Sequence, residues 1–271
     1  MRKLKIKHID SFKDYIAFIE NLRTKNSGPI WYRGCGKTSY ELKPSLYRHK
    51  KSNTIEDLMQ LEDRIISRFK QRSVPFHSRS ISDPWELLFF MQHFGIPTRL
   101  LDWTESPLMA LFFAVTLAKY KLSVRGIPVY ENIAAIWILD PVKWNTHAIN
   151  LKSFKGKILI TDDENANAYK PVGDCNAMKE YPIAIYGTHN SQRIVAQRGV
   201  FVCFGKNTDP METMYLNNAF PKDCLLKLTI SSSKLPHFFD AIHKHGVSDS
   251  VVFPDLEGLA REIKREFKFE V

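Results

Sequence analysis

Helical and strand-like spacings of apolar residues divide this chain into two halves of different character. Residues 11–25 repeat at helical spacing, with Ser11 as the cap and Tyr15, Ile16, Phe18, Ile19 and Leu22 on one side, until "SGPIWYRG" breaks the pattern. A short strand is predicted over Ile30–Arg33, and the stretch after it is irregular up to Pro44. The next helix starts at Thr54, whose hydroxyl can cap it with Asp57 three residues on. Its Ile55, Leu58, Leu61, Ile65 and Phe69 keep one face apolar to about Gln71. A third helix begins at Asp83, with Pro84 in its first position, Glu86 completing a capping box and Gly95 as the stop.

Pro97 forces extended backbone before it, and Leu100, Leu101 and Trp103 suit a buried strand. Ser106 and Pro107 then open a nearly all-apolar helix to about Tyr120, which must be buried on all sides. The second half reads as strands over Ala134–Leu139, Ile183–Tyr186, Arg193–Ala196, Val200–Phe204, Leu225–Ile230 and Ser250–Phe253. Between them, the polar stretch 161–180 is expected to be a long surface loop. Helices near 236–245 and 256–267 close the chain. The class expected is α+β, with helices mainly from the N-terminal half and a mixed β core after them.

Composition narrows the class of protein. A chain of 271 residues with 44% hydrophobic and 12% aromatic content can bury a thick core without staples. Cys35, Cys175, Cys203 and Cys224 lie far apart with no CxxC spacing, which argues against a disulfide framework or a zinc site and for a reducing cytoplasm. "MRKLKIKHID" is basic but precedes no apolar signal core, and the longest apolar stretch, Pro107 to Ala118, is too short to span a bilayer. A cytoplasmic protein with no membrane partner is expected. The net charge of +10 favours acidic partners, whether nucleic acid, a dinucleotide or an acidic protein, although the Lys and Arg residues are scattered along the chain.

Several chemistries lack their signatures. "GCGKT" at 34–38 ends like a phosphate loop, but the first glycine of that motif would fall on Trp31. No GxSxG, HExxH or GxGxxG occurs, and "HKH" at 243–245 reads as an exposed helix end rather than a metal site; no metal is predicted.

Four blocks remain: "WYRG" at 31–34, "HFGIPTRLLDWTESPLMALFFA" at 93–114, "RIVAQRGVF" at 193–201 and "VVFPDLEGLA" at 251–260. Together they resemble the FRG domain family, from about Ile30 to the C-terminus. This divides the chain into a helical segment over 1–29 and an FRG domain over 30–271. More distantly, the blocks resemble mono-ADP-ribosyltransferases of the Arg-Ser-Glu type. Arg33 matches the arginine of the first strand, "DWTES" with its helix matches the second motif, and "QRGVFV" matches the third. Gln197 takes the first place of that third motif, but Gly199 stands where the catalytic Glu belongs. The resemblance implies a core of two packed sheets and NAD⁺ as substrate.

The chemistry of the residues agrees with that expectation. Arg33 at a strand end offers a forked cation to a pyrophosphate, Gly34 beside it leaves room for close approach, and Trp31 and Tyr32 can stack on a ring. Trp103 and Ser106 complete the expected NAD⁺-binding set. Cleaving the nicotinamide bond leaves an oxocarbenium-like ribose, to be stabilised by a carboxylate or by hydrogen bonds from Asp102, Thr104 or Gln197, with Asp255 and Glu257 as further carboxylates. Each also has a structural alternative. Thr104 or Ser106 can cap the buried helix, Asp102 can pair with Arg99 or Arg33, Asp255 can cap the last helix, and Arg193 and Arg198 can be strand-surface residues. The function expected is transfer of ADP-ribose to a macromolecule, RNA ahead of DNA and nucleic acid ahead of protein. Such a protein would be an intracellular toxin or anti-phage effector, with a neutralising antitoxin as partner. The alternatives are a non-catalytic nucleotide or nucleic-acid binding module and, more remotely, a metal-dependent nuclease using Asp102.

Overall fold

The computed structural model describes residues 3–51, 54–77, 81–124, 128–171, 173, 175–188, 191–267 and 269. Nine strands are defined among them: β1 (Lys5–His8), β2 (Trp31–Cys35), β3 (Leu100–Thr104), β4 (Tyr120–Leu122), β5 (Pro128–Tyr130), β6 (Ala134–Leu139), β7 (Ile183–Ile185), β8 (Gly199–Cys203) and β9 (Leu225–Ile230). Seven form one mixed sheet in the order β1-β9-β6-β2-β3-β8-β7, and β4 and β5 form a separate hairpin. The core of two packed sheets is therefore corrected to one large sheet with a small ribbon. Only the β1–β9 pair in the large sheet is parallel.

The early helices are α1 (Phe12–Lys25), α2 (Ile55–Ser73), α3 (Pro84–His93) and α4 (Pro107–Thr116). Each starts at the residue the pattern marks: Ser11, Thr54, Asp83 and Ser106 accept the N–H of Asp14, Asp57, Glu86 and Met109. Gly95, at φ +73°, ends the α3 segment in the left-handed region. The remaining helices are α5 (Pro141–Ile149), α6 (Glu164–Asn167), α7 (Gln192–Ala196), α8 (Met211–Asn217), α9 (Leu235–Lys244), α10 (Asp249–Val252) and α11 (Leu256–Glu266). Seven of the eleven described helices thus follow residue 140, so helices are not concentrated in the N-terminal half.

Two predicted strands are helices. Arg193–Ala196 lies in α7, where the Ser191 hydroxyl accepts the Ile194 N–H at 3.2 Å and only Ile194 is buried. Ser250–Phe253 gives way to α10, because Glu262 accepts both the Ser248 hydroxyl at 2.6 Å and the Ser250 N–H at 2.9 Å, curling the backbone toward α11. The 161–180 stretch contains α6 and buries Ala166, Tyr169 and Met178, so it is partly core; positions 172 and 174 lie outside the described residues.

Both faces of the sheet are covered, which is why β6 reads "AAIWIL" without alternation. Trp31, Ala135 and Trp137 belong to one core, packed with side chains from α2, α3, α5 and α8. Tyr32, Ile136 and Leu228 belong to the other, packed with α1, α4 and α9. Gly34 lets α4 lie directly on β2: a Cβ there would stand 1.9 Å from the Ala110 carbonyl oxygen. No helix among the described residues is long and apolar enough to cross a membrane.

Candidate functional site

The large sheet is weakly closed at one seam. β2 pairs with β6 through five residues and β3 with β8 through five, yet β2 and β3 meet only at Tyr32 opposite Thr104. Beyond that pair the strands separate, and a cleft of about 210 Å³ opens between them, walled by β2, β3, the start of β8, α3, α4 and α7.

Arg33 sits in the seam. Its Nη1 donates to the Asp102 carbonyl oxygen and lies 4.0 Å from that residue's carboxylate, while its buried Nε has no partner among the described residues. Asp102 is half exposed at 57% of its side-chain surface, so the pairing with Arg33 is open rather than a sealed core ion pair. Gln92 of α3 fixes the carboxylate, with Nε2 donating to Oδ1 at 3.0 Å and to Oδ2 at 2.9 Å. The Gln92 carbonyl in turn accepts the Thr98 hydroxyl, which orients the amide. Arg99 takes no part. It is fully buried against Glu62 of α2, with Nε to Oε1 at 3.0 Å and Nη2 to Oε2 at 2.6 Å. Burial works against its charged form, but the Glu62 carboxylate more than offsets this and holds the guanidinium above its usual range.

Thr104 joins the two sides of the site. Its hydroxyl donates to the Gln197 carbonyl at 2.6 Å and accepts the Ser106 N–H at 3.0 Å, tying β3 to the loop that leads into β8. Ser106 caps α4 and does not line the cleft. Gln197 does line it, and its Nε2 donates to the Val252 carbonyl at 3.0 Å. Gly199 stands opposite Thr104 at the start of β8, so no carboxylate enters at that point. Tyr32, Gly34 and Trp103 contribute to the wall although Tyr32 and Trp103 are buried; Trp31, expected to stack on a ligand, is buried outside it. Asp255 caps α11 through the Gly258 N–H at 2.7 Å, and Glu257 pairs with Arg261. Neither lines the cleft.

Three polar cleft residues were not among the site residues expected: Gln92, His93 and Arg193. Arg193 had the reading of a strand-surface residue, but α7 turns it into the cleft, with its guanidinium 4.6 Å from the centre of the Phe253 ring. Burial lowers its pKa, with Asp102 pulling the other way. His93 Nδ1 lies 3.2 Å from the Ser191 hydroxyl; burial and the nearby Arg193 charge lower its pKa and favour the neutral ring. The cleft therefore gathers two arginines, a neutral imidazole, one held carboxylate and the apolar side chains of Phe113, Leu117 and Phe201. Phosphate and carboxylate groups fit the arginines, and a ring or ribose fits the apolar wall. The described residues include no group of His, Cys, Asp and Glu able to hold a metal ion.

No curated protein and no solved structure matches this chain. The blocks at 193–201 and 251–260 lie outside the residues that a family model matches. That match is to the FRG domain and runs over residues 28–121, which contain β2, α3, β3 and α4 and hence both edges of the seam; over that segment the FRG family is supported.

Proposed function

We propose that the cleft binds NAD⁺ and that the protein transfers ADP-ribose from it to a macromolecular acceptor, with RNA favoured. The observation that carries this reading is Arg33 lodged in the open seam with an unpartnered buried Nε, next to a carboxylate held by Gln92. Arg33 and Arg193 would hold the pyrophosphate, and Asp102 would face the ribose as positive charge develops on it. In the reaction the C1′–N bond breaks and nicotinamide leaves with the bonding pair as a neutral molecule. An acceptor oxygen or nitrogen forms the new bond to C1′, and its proton passes to His93, which burial favours in the neutral form. Asp102 takes the part that Gly199 cannot. Gln92 and Thr98 keep the carboxylate in place, so little reorganisation is needed as charge appears.

The test is incubation of purified protein with NAD⁺ labelled in the adenylate phosphate, together with RNA, DNA or cell protein. Label is expected in RNA together with released nicotinamide, and Asp102→Asn is expected to suppress both. No nicotinamide release with any acceptor would end the transferase reading. Gly199 favours a second reading, a binding module without catalysis, for which NAD⁺ would bind in a calorimeter and remain intact.

A further inference from the structure

Part of the positive charge, scattered in sequence, is gathered in space beside the C-terminal half of α2. A groove of about 950 Å³ runs along the C-terminal half of this helix and is lined by Arg64, Arg68 and Arg72. These follow one another at i, i+4 and i+8, so they form one stripe with about 6 Å between successive positions. A second groove, which shares Leu61 and Ile65 with the first, adds Arg48, Lys50 and Lys51. All six cations are exposed, and none pairs with a carboxylate among the described residues. Among the described residues, Asp63 is the one acidic side chain lining either groove.

Aromatic rings connect this track to the cleft. Phe69, in the first groove, meets Phe90 at 6.1 Å; Phe90 meets Phe94 at 4.9 Å; and Phe94 meets His93 of the cleft at 4.7 Å. Phe94, the ring next to His93 on this path, is 60% exposed, and its contacts with Phe90 and His93 are edge-to-face rather than stacked. Cations that follow a backbone beside exposed aromatics are the combination that binds unpaired strands, since phosphates pair with the cations and any base can stack on a ring. A duplex would leave the rings unused.

We propose that the α2 grooves and Phe94 form a docking track for single-stranded nucleic acid that leads an unpaired segment to the cleft. Its purpose rests on the acceptor assigned above, but the binding itself requires neither NAD⁺ nor catalysis. The test is titration of a fluorescent single-stranded RNA without NAD⁺ at 50 to 200 mM salt. Three variants are compared with the parent: Arg64→Gln/Arg68→Gln/Arg72→Gln, Phe94→Ala, and a control of equal charge change, Lys13→Gln/Lys244→Gln/Lys264→Gln. The arginine variant is expected to lower affinity and to flatten the salt slope by about 2. Phe94→Ala should weaken binding about fivefold or more with the slope unchanged. Equal losses in the arginine and lysine variants would show that net charge alone is at work and would overturn the proposal. So would tighter binding of duplex or of a poly-glutamate peptide than of the single strand. Binding as expected without any ADP-ribose transfer would support the track and remove the transferase reading instead.

Discussion

Arg33→Ala separates a ligand-binding arginine from a structural one, and the geometry sets the size of both effects. The ion pair to Asp102 is long at 4.0 Å and open, with the two side chains 26% and 57% exposed, so its loss costs about 1 kcal/mol or less. Loss of the charge-assisted hydrogen bond to the Asp102 carbonyl costs about 1.5–3 kcal/mol. Against these, removing the unpartnered buried Nε relieves a penalty of about 1–3 kcal/mol. The net change in stability is expected to lie within about 2 kcal/mol, a shift in Tm of no more than about 8 °C. Ligand binding loses far more. Two charge-assisted hydrogen bonds to a pyrophosphate are worth about 1.5–3 kcal/mol each, so the Kd for NAD⁺ should rise at least a hundredfold. Calorimetric titration with NAD⁺ and with ADP-ribose measures the affinity, and urea unfolding measures the stability. A Kd within threefold of the parent, in a variant that unfolds at the parent's midpoint, would refute the assignment of the cleft.

Glu62→Gln should behave in the opposite way: it leaves Arg99 charged and buried without its counter-ion, and urea unfolding should show a loss of about 3–5 kcal/mol, with a loss below about 1 kcal/mol contradicting the reading. Gly34→Ala drives a Cβ into the Ala110 carbonyl and should cost about 1–3 kcal/mol as α4 moves off β2; an unchanged Tm would show that the helix has room. The lowered pKa of His93 means that the unfolded chain binds its proton more readily than the folded one, so its contribution to stability is present above the unfolded value of about 6.5 and is lost as the pH falls through the lower folded value. His93→Gln should flatten that part of the profile, and urea midpoints that keep the parent's pH dependence would remove His93 from the account.

The seam could be anticipated only in pieces. "WYRG" and "DWTES" identify Arg33, Asp102 and Thr104 because an arginine or a carboxylate inside an apolar strand has few structural reasons to be there. The caps at Ser11, Thr54, Asp83 and Ser106 were legible for a simple reason: a side chain three residues from the N–H it accepts is a local interaction. β6 and β9 were legible from end to end because both of their faces are buried or nearly so. The short β1, β4 and β5 were not, since their side chains are mostly exposed and carry no apolar pattern.

What the sequence by itself determined is the α+β class, the caps, the central strands and a polar constellation set within apolar surroundings. What only the tertiary structure decided is how those polar groups meet. "RIVAQ" has the branched residues of a strand, yet the cap at Ser191 and the burial of Ile194 alone make it a helix, and that turn aims Arg193 into the cleft instead of along a sheet. Gln92 and His93 lie at the end of an ordinary helix, and their use depends on where α3 docks against β3. The six cations of the α2 grooves come from two segments that contact each other only in the fold. The physical reason is one of range. Capping and periodicity act over three or four residues, whereas the seam joins Arg33 to a residue 69 positions away through packing that no local pattern encodes.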